Sequence, residues 1–253
     1  MKKDKYYLGL VSVSFRANTP KEILEASKAA GLSYVEWGSD VHAPCYDVER
    51  LREIAALQKE YGIACSSYGT YFRLGETPIE ELESYIQAAK ILGTDILRLW
   101  GGRKSGADMS AAEREEFLSV CRRVAEIAEA EQVTFCMECH KKTFTEIPED
   151  AIWLIDKVNS PHFRMYWQPF QWQTAEENCK NASKLSPYTE HIHVFNWKDS
   201  EKFSLADAVG EWKEYIKAFP TPRTLLLEFM PNGTIEELAH EAEALRTIIG
   251  EDV

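Results

Sequence analysis

The sequence predicts a (β/α)8 barrel, and three observations carry the prediction. Short apolar runs alternate with helical segments along the whole chain, eight times in 253 residues, the count and length such a barrel requires. No glycine occurs in Val13-Ser14-Phe15-Arg16-Ala17-Asn18, after the first run, where a doubly wound sheet would place its glycine-rich turn. Several later runs end in acids or imidazoles, at Glu138, His193 and Glu228. Such groups are costly to bury, and at the ends of different strands they converge on one mouth of a parallel barrel.

Each unit carries its own signals. Tyr6 to Ser14 is the first strand, and Thr19-Pro20 supplies a cap followed by proline at the first helical position. That helix runs to about Ala30, where Gly31 stops it; Tyr34 to Trp37 is the second strand. A helix from about Val48 to Tyr61 ends at Gly62, and Ala64 to Tyr68 is the third strand. Thr77-Pro78 repeats the cap signal, with Glu80 and Glu81 where the helix dipole favours acids, and Gly93 closes that helix. Ile96 to Trp100 is the fourth strand, followed by Gly101-Gly102, a basic loop and a long helix from about Ser110 to Glu129. Val133 to Glu138, Phe163 to Trp167, His191 to Phe195 and Thr224 to Phe229 are the remaining strands. Helices over Glu149 to Val158, Thr174 to Leu185, Leu205 to Ala218 and Thr234 to Ile249 separate and follow them. No linker or low-complexity segment interrupts the pattern, so residues 1–253 are expected to form one domain.

Composition narrows the function classes. Hydrophobic residues make up 45% of the chain, enough for a sizeable core, and the formal net charge is −12. A surface that negative repels phosphate backbones, so no nucleic-acid partner is expected. Met1 to Lys5 leads straight into the first strand with no apolar signal region, and no run is long enough to span a bilayer. A cytoplasmic protein with no membrane partner is the expectation. All six cysteines read as buried reduced thiols: Cys136 and Cys139 have knuckle-like spacing but no second pair, and they fall on opposite faces of a strand.

Glu138, His193 and Glu228 are hard-to-borderline ligands suited to one divalent ion, Mn2+, Mg2+, Co2+ or Zn2+. Side chains two apart on a strand share a face, so His140 joins Glu138, and His191 joins His193. Glu36 ends the second strand, Tyr68 flanks the third, and Trp100 could stack on the apolar face of a sugar. Arg98, Arg103, Lys104, Lys141, Lys142 and Lys198 could meet an anionic group, although no glycine-rich phosphate cradle accompanies them.

These residues carry a resemblance. Val35-Glu36-Trp37, Leu97-Arg98-Leu99-Trp100-Gly101-Gly102, Met137-Glu138-Cys139-His140, His191-Ile192-His193-Val194 and Leu227-Glu228-Phe229 stand in the order and spacing of one family. The chain resembles the xylose isomerase-like TIM-barrel superfamily, in its sugar phosphate isomerase/epimerase branch. That branch also includes ketose 3-epimerases, hydroxypyruvate isomerase and inosose dehydratase. The resemblance implies one ion held by Glu138, a strand-six residue, His193 and Glu228. The family commonly has Asp, often followed by proline, at that second place; here Gln168 precedes Pro169, leaving two formal negative ligands instead of three.

The implied activity is that of a sugar, sugar phosphate or polyol isomerase or epimerase. Glu138 and Glu228 would move a proton through an enediolate, and Glu36, Tyr68, Trp100, His140 and Lys198 would contact the substrate. The alternatives are an inosose-dehydratase-like lyase and a non-catalytic sugar-binding barrel with a degraded metal site. The expected partner is a small-molecule sugar or polyol, with homo-oligomers common in the family. A nuclease of the endonuclease IV type, which shares the fold, would need three zinc ions and a basic groove; six histidines and this charge argue against it.

Overall fold

A computed structural model describes residues 6–198, 201–221 and 223–250; Met1 to Lys5, read above for a signal region, lie outside them. The barrel strands begin with β1 (Tyr6–Val11), β2 (Tyr34–Gly38), β3 (Ala64–Arg73) and β4 (Ile96–Trp100). They continue with β5 (Thr134–Glu138), β6 (Phe163–Trp167) and β7 (Thr189–Val194). A small antiparallel hairpin, β8 (Trp197–Lys198) and β9 (Glu201–Lys202), precedes the last barrel strand, β10 (Arg223–Leu227). The barrel closes in the order β1-β10-β7-β6-β5-β4-β3-β2, with every pair parallel.

Around it stand α1 (Pro20–Ala29), α2 (Val48–Tyr61), α3 (Leu82–Leu92), α4 (Ala111–Glu131), α5 (Pro148–Val158), α6 (Ala175–Leu185), α7 (Val209–Ile216) and α8 (Leu238–Ile249). Strands covered on both faces read as nearly continuous apolar runs. Along β2, Val35 and Trp37 pack in the main core, and Trp37 Nε1 donates to Gln58 Oε1 of α2 at 2.9 Å. A second, smaller cluster of Val11, Val13, Cys136, Tyr166 and Leu226 is buried apart from that core.

Helix starts follow local chemistry. Thr19 caps α1 in a box with Glu22, and Ser110 with Glu113 and Thr174 with Glu177 do the same for α4 and α6. The Thr77-Pro78 start is displaced. Thr77 Oγ1 instead accepts from the Arg73 N–H at 3.0 Å, Pro78 stays extended, and a 3-10 turn over Ile79–Glu81 precedes α3. The third strand runs five residues beyond its expected end at Tyr68, reaching Arg73 beside Trp100 after an irregularity in register. The first strand stops at Val11, because Ser12–Phe15 wind into a 3-10 turn. The six cysteines are free thiols; Cys45, in the loop after β2, and Cys179, on α6, are only half-buried. No helix among the described residues is long and apolar enough to cross a membrane.

Candidate active site

Glu138 closes β5, His193 lies near the end of β7, and Glu228 follows β10, so three strands deliver their polar ends to the same rim. One ligand atom from each lies within 4.8 Å of the other two, and all three residues are buried. His193 Nδ1 is 3.6 Å from Glu138 Oε1 and 3.5 Å from Glu228 Oε2. The opposite ring nitrogen, Nε2, is 3.4 Å from Glu36 Oε2. Tyr166 stands edge-on to the His193 ring, with centroids 5.1 Å apart. Arg98 enters from β4 and divides its guanidinium: Nε donates to Glu36 Oε1 at 2.9 Å, and Nη1 donates to Glu138 Oε2.

The two glutamates of this group titrate in opposite directions. Burial by itself raises a carboxyl group. At Glu138 the Arg98 guanidinium and His193 outweigh it and hold the group at about 2. At Glu228 burial wins: with the nearby negative charges of Glu138 and Glu36 it outweighs His193 and Arg98, and the group is pushed up to about 7. Burial would lower His193, but Glu228, Glu36 and Glu138 around it raise the ring to about 10. Glu36 is held well below the usual carboxylate range, because Arg98 and His193 overcome the cost of its burial.

The donor set fits a divalent ion. Two carboxylates, an imidazole and an amide oxygen can converge on one cation. Gln168 Oε1 and His193 Nδ1 are buried without a hydrogen-bond partner, although such atoms are normally satisfied. Gln168 is held by its other amide atom, since Nε2 donates to the Cys139 carbonyl at 2.7 Å, and the residue lines the same cavity as Glu138 and Glu228.

A family model described as xylose isomerase-like TIM barrel matches residues 24–219. The chain belongs to that family. It is 22% identical over 202 residues to a 3-dehydroshikimate dehydratase from Bacillus anthracis, covering 76% of this chain and 71% of that protein. It is 27% identical over 190 residues to a putative hydroxypyruvate isomerase from Homo sapiens, covering 70% of this chain and 62% of that protein. Among solved structures, a probable 3-DHS dehydratase of Bacillus anthracis superposes with a TM-score of 0.80 at 17% identity, over 95% of this chain and 98% of that one. A xylose isomerase-like TIM barrel protein from Mycobacterium smegmatis, in complex with magnesium, gives 0.71 at 12% identity over 97% of each chain. At such identities the structural likeness establishes the fold.

In this xylose isomerase-like barrel the rim residues enclose a cavity of about 600 Å3. Glu138, Gln168 and Glu228 line it with His140 and Trp100, whose rings lie 4.4 Å apart between centroids. Three residues expected at the substrate lie elsewhere. Glu36 is fully buried and does not line the cavity. Tyr68 is a core residue whose hydroxyl donates to the Ala43 carbonyl at 2.5 Å, because its side chain points to the helical layer and packs near Tyr85 of α3. Lys198 is exposed on the hairpin beside a separate small cleft. Of the basic residues considered for an anion, Arg98 meets the chain's own carboxylates, and Arg103 and Lys104 pair with Glu76 and Glu113.

Sequence reading missed an aromatic wall. The rings of Trp197 and Phe229 stack at 4.8 Å and 23°, and both line the cavity. Phe229 has a φ of +54°, which a bulky residue adopts only under constraint, and its N–H donates to Ser14 Oγ at 2.9 Å. The residue next to Glu228 is thereby pinned to the turn after β1. Arg16 and Tyr71 also line the cavity, joined at 2.8 Å, with both side chains bonded to Asp40. Nothing in the local sequence brings these residues together, since the contacts join separate loops.

Proposed function

We propose that this chain is a divalent-metal-dependent isomerase or epimerase that transfers a proton at the carbon beside a carbonyl of a sugar or polyol-derived substrate. The observation that carries the reading is geometric: one ligand atom each from buried Glu138, His193 and Glu228 lies within 4.8 Å of the others, beside a Gln168 Oε1 that has no hydrogen-bond partner. Arg98 bonds Glu138 and makes no such bond to Glu228, so Glu228 is the carboxylate freer to take and return a proton. Glu228 is therefore the principal proton carrier, and Glu138 the carboxylate fixed by Arg98, both facing His193 Nδ1. The ion, held by Glu138, Gln168, His193 and Glu228, would supply charge stabilisation for the substrate oxygen. His140, on the cavity wall against Trp100, is placed to hold a substrate hydroxyl or carbonyl. Trp197 and Phe229 offer an apolar face to the carbon skeleton.

The relative named as a dehydratase supports a second reading. Loss of water across the bond beside a carbonyl begins with the same proton removal, so the same glutamate would start either reaction. Two incubations separate the readings. Incubation with a panel of ketoses in deuterated water, followed by NMR, should place deuterium on the carbon next to the carbonyl if the chain is an isomerase or epimerase. Incubation with 3-dehydroshikimate, followed by ultraviolet absorbance, should show a new conjugated product if it is a dehydratase. Turnover of a ketose with no label incorporated would point to hydride transfer and remove the role given to Glu228.

A further inference from the structure

Glu36 is a carboxylate buried completely in the barrel, with no place on the cavity wall. Its Oε1 accepts from Arg98 Nε at 2.9 Å; its Oε2 accepts from Ser67 Oγ at 3.0 Å and faces His193 Nε2 at 3.4 Å. The fold makes room for this arrangement. Glu36 on β2 and Arg98 on β4 meet across β3, where Gly69 pairs with Gly38 on one side and Arg98 on the other. A Cβ at Gly69 would lie 2.7 Å from Glu36 Oε1 and 2.9 Å from Arg98 Nη2. The missing side chain is what lets the pair close, and a glycine inside a strand often marks such an approach.

We propose that Glu36 is a positioning residue for the metal centre, holding His193 with its proton on Nε2 and, through Arg98, fixing the carboxylate of Glu138. An ionised carboxylate only accepts, so the ring nitrogen facing it is the donor and Nδ1 is left to ligate. Nδ1 is the ring nitrogen that faces Glu138 and Glu228 and lacks a hydrogen-bond partner. Arg98 occupies Glu138 Oε2, which leaves Oε1 turned toward the same point. One carboxylate outside the ligand set thus orients two of its members. The inference rests on the metal-dependent reading above.

The test compares wild type, Glu36→Gln and Gly69→Ala, using Zn2+ as the probe. Affinity is measured by calorimetry, and the proton on His193 is located by 15N–1H NMR of the Zn2+-loaded protein. In Glu36→Gln one acceptor oxygen becomes an NH2. If that NH2 faces His193 it turns the ring's proton to Nδ1, and if it faces Arg98 it breaks the link to Glu138. Affinity should fall by about 10–100-fold, the usual cost of losing such an outer partner. Gly69→Ala should weaken binding in the same direction by separating Glu36 from Arg98, while Glu36 itself is retained. Loaded wild type should show the His193 proton on Nε2, a result that needs no variant and stands even if Glu36→Gln fails to fold. A folded Glu36→Gln protein with wild-type affinity, or a loaded wild type with the proton on Nδ1, overturns the proposal while leaving the metal reading intact. Wild type that binds no Zn2+ at millimolar concentration removes the metal reading, and the proposal with it.

Discussion

Binding of a divalent ion should expel protons from this site, and the surrounding charges set how many. The His193 imidazolium, flanked by Glu228, Glu36 and Glu138, persists to a pH of about 10. Only the neutral ring ligates a metal. At about pH 7 the proton therefore competes with the ion across roughly three pH units, or ~4 kcal/mol at ~1.4 kcal/mol per unit, a loss of about a thousandfold in apparent affinity. From about pH 7 to about 10 one proton should leave per ion, with affinity rising about tenfold per unit. Below about 7 Glu228 is protonated as well, so release should climb toward two protons. Calorimetric titration with Mn2+ in buffers of different ionisation enthalpy reads the number directly. Measurable binding with no proton release slightly above neutral pH, or an affinity independent of pH, would refute the electrostatic account. The ion-free protein supplies a second readout. His193 is raised above its unfolded value of about 6.5, so its stabilisation is complete below that pH and is lost as the pH climbs toward about 10. Glu228 acts in the same sense, lowering stability between about 4.5 and about 7, whereas the contribution of Glu138 is present above about 4.5 and lost as pH falls toward about 2. The melting temperature of the ion-free chain should accordingly peak under mildly acidic conditions and decline into alkali, and a saturating ion should flatten the alkaline limb.

Three substitutions probe the rest of the site. Glu228→Gln should leave the fold intact and lower turnover by about a hundredfold or more, the scale of removing a positioned proton-transfer group; wild-type turnover of whichever substrate the two incubations identify would contradict its role. Gln168→Asp places one more carboxylate among groups that already include Glu36, Glu138 and Glu228, so it should tighten Mn2+ binding while lowering the melting temperature of the ion-free protein; a rise in that temperature would show that the buried charges are compensated in another way. Ser14→Ala removes the acceptor of the Phe229 N–H and should cost about 1–3 kcal/mol in chemical denaturation, with a fall in turnover through the displaced Glu228.

Much of the fold was legible in the sequence because the barrel repeats one simple grammar of apolar run, cap and helix. Thr19 with Glu22 caps α1 where the sequence placed the cap. The hairpin of Trp197–Lys198 and Glu201–Lys202 was not legible, since two-residue strands show no alternation to read. Glu138, His193 and Glu228 announced themselves as polar groups ending buried strands. The place of Arg98 was less visible. Leu97-Arg98-Leu99 does signal a charge on the inner face of a buried strand, but its partners lie 40 and 62 residues away in sequence, and only closure of the barrel reveals them. Tyr68 is expected at the cavity from its place on the third strand, but a one-residue difference in facing sends a strand residue to the opposite layer.

The replacement of an expected aspartate by Gln168 has a different meaning once Glu36 and Arg98 are in view. Counting ligands alone, two carboxylates would face a divalent ion, and the missing third suggests a weakened site. Counting the buried charges at the site, Glu36, Glu138 and Glu228 stand against Arg98, which would leave two negative charges for a doubly charged cation. Buried net charge is costly and buried balance is not, so a neutral amide at position 168 is the choice that closes the sum. Arg98 also makes the two glutamates unequal. It bonds Glu138 and leaves Glu228 without an arginine partner, which is why one stays ionised while the other titrates near neutrality. A pair of equivalent carboxylates would share one proton with no preferred carrier. On the proposed reading the guanidinium selects Glu228, so the residue that would set the division of labour at the site, Arg98, is not among the ligands.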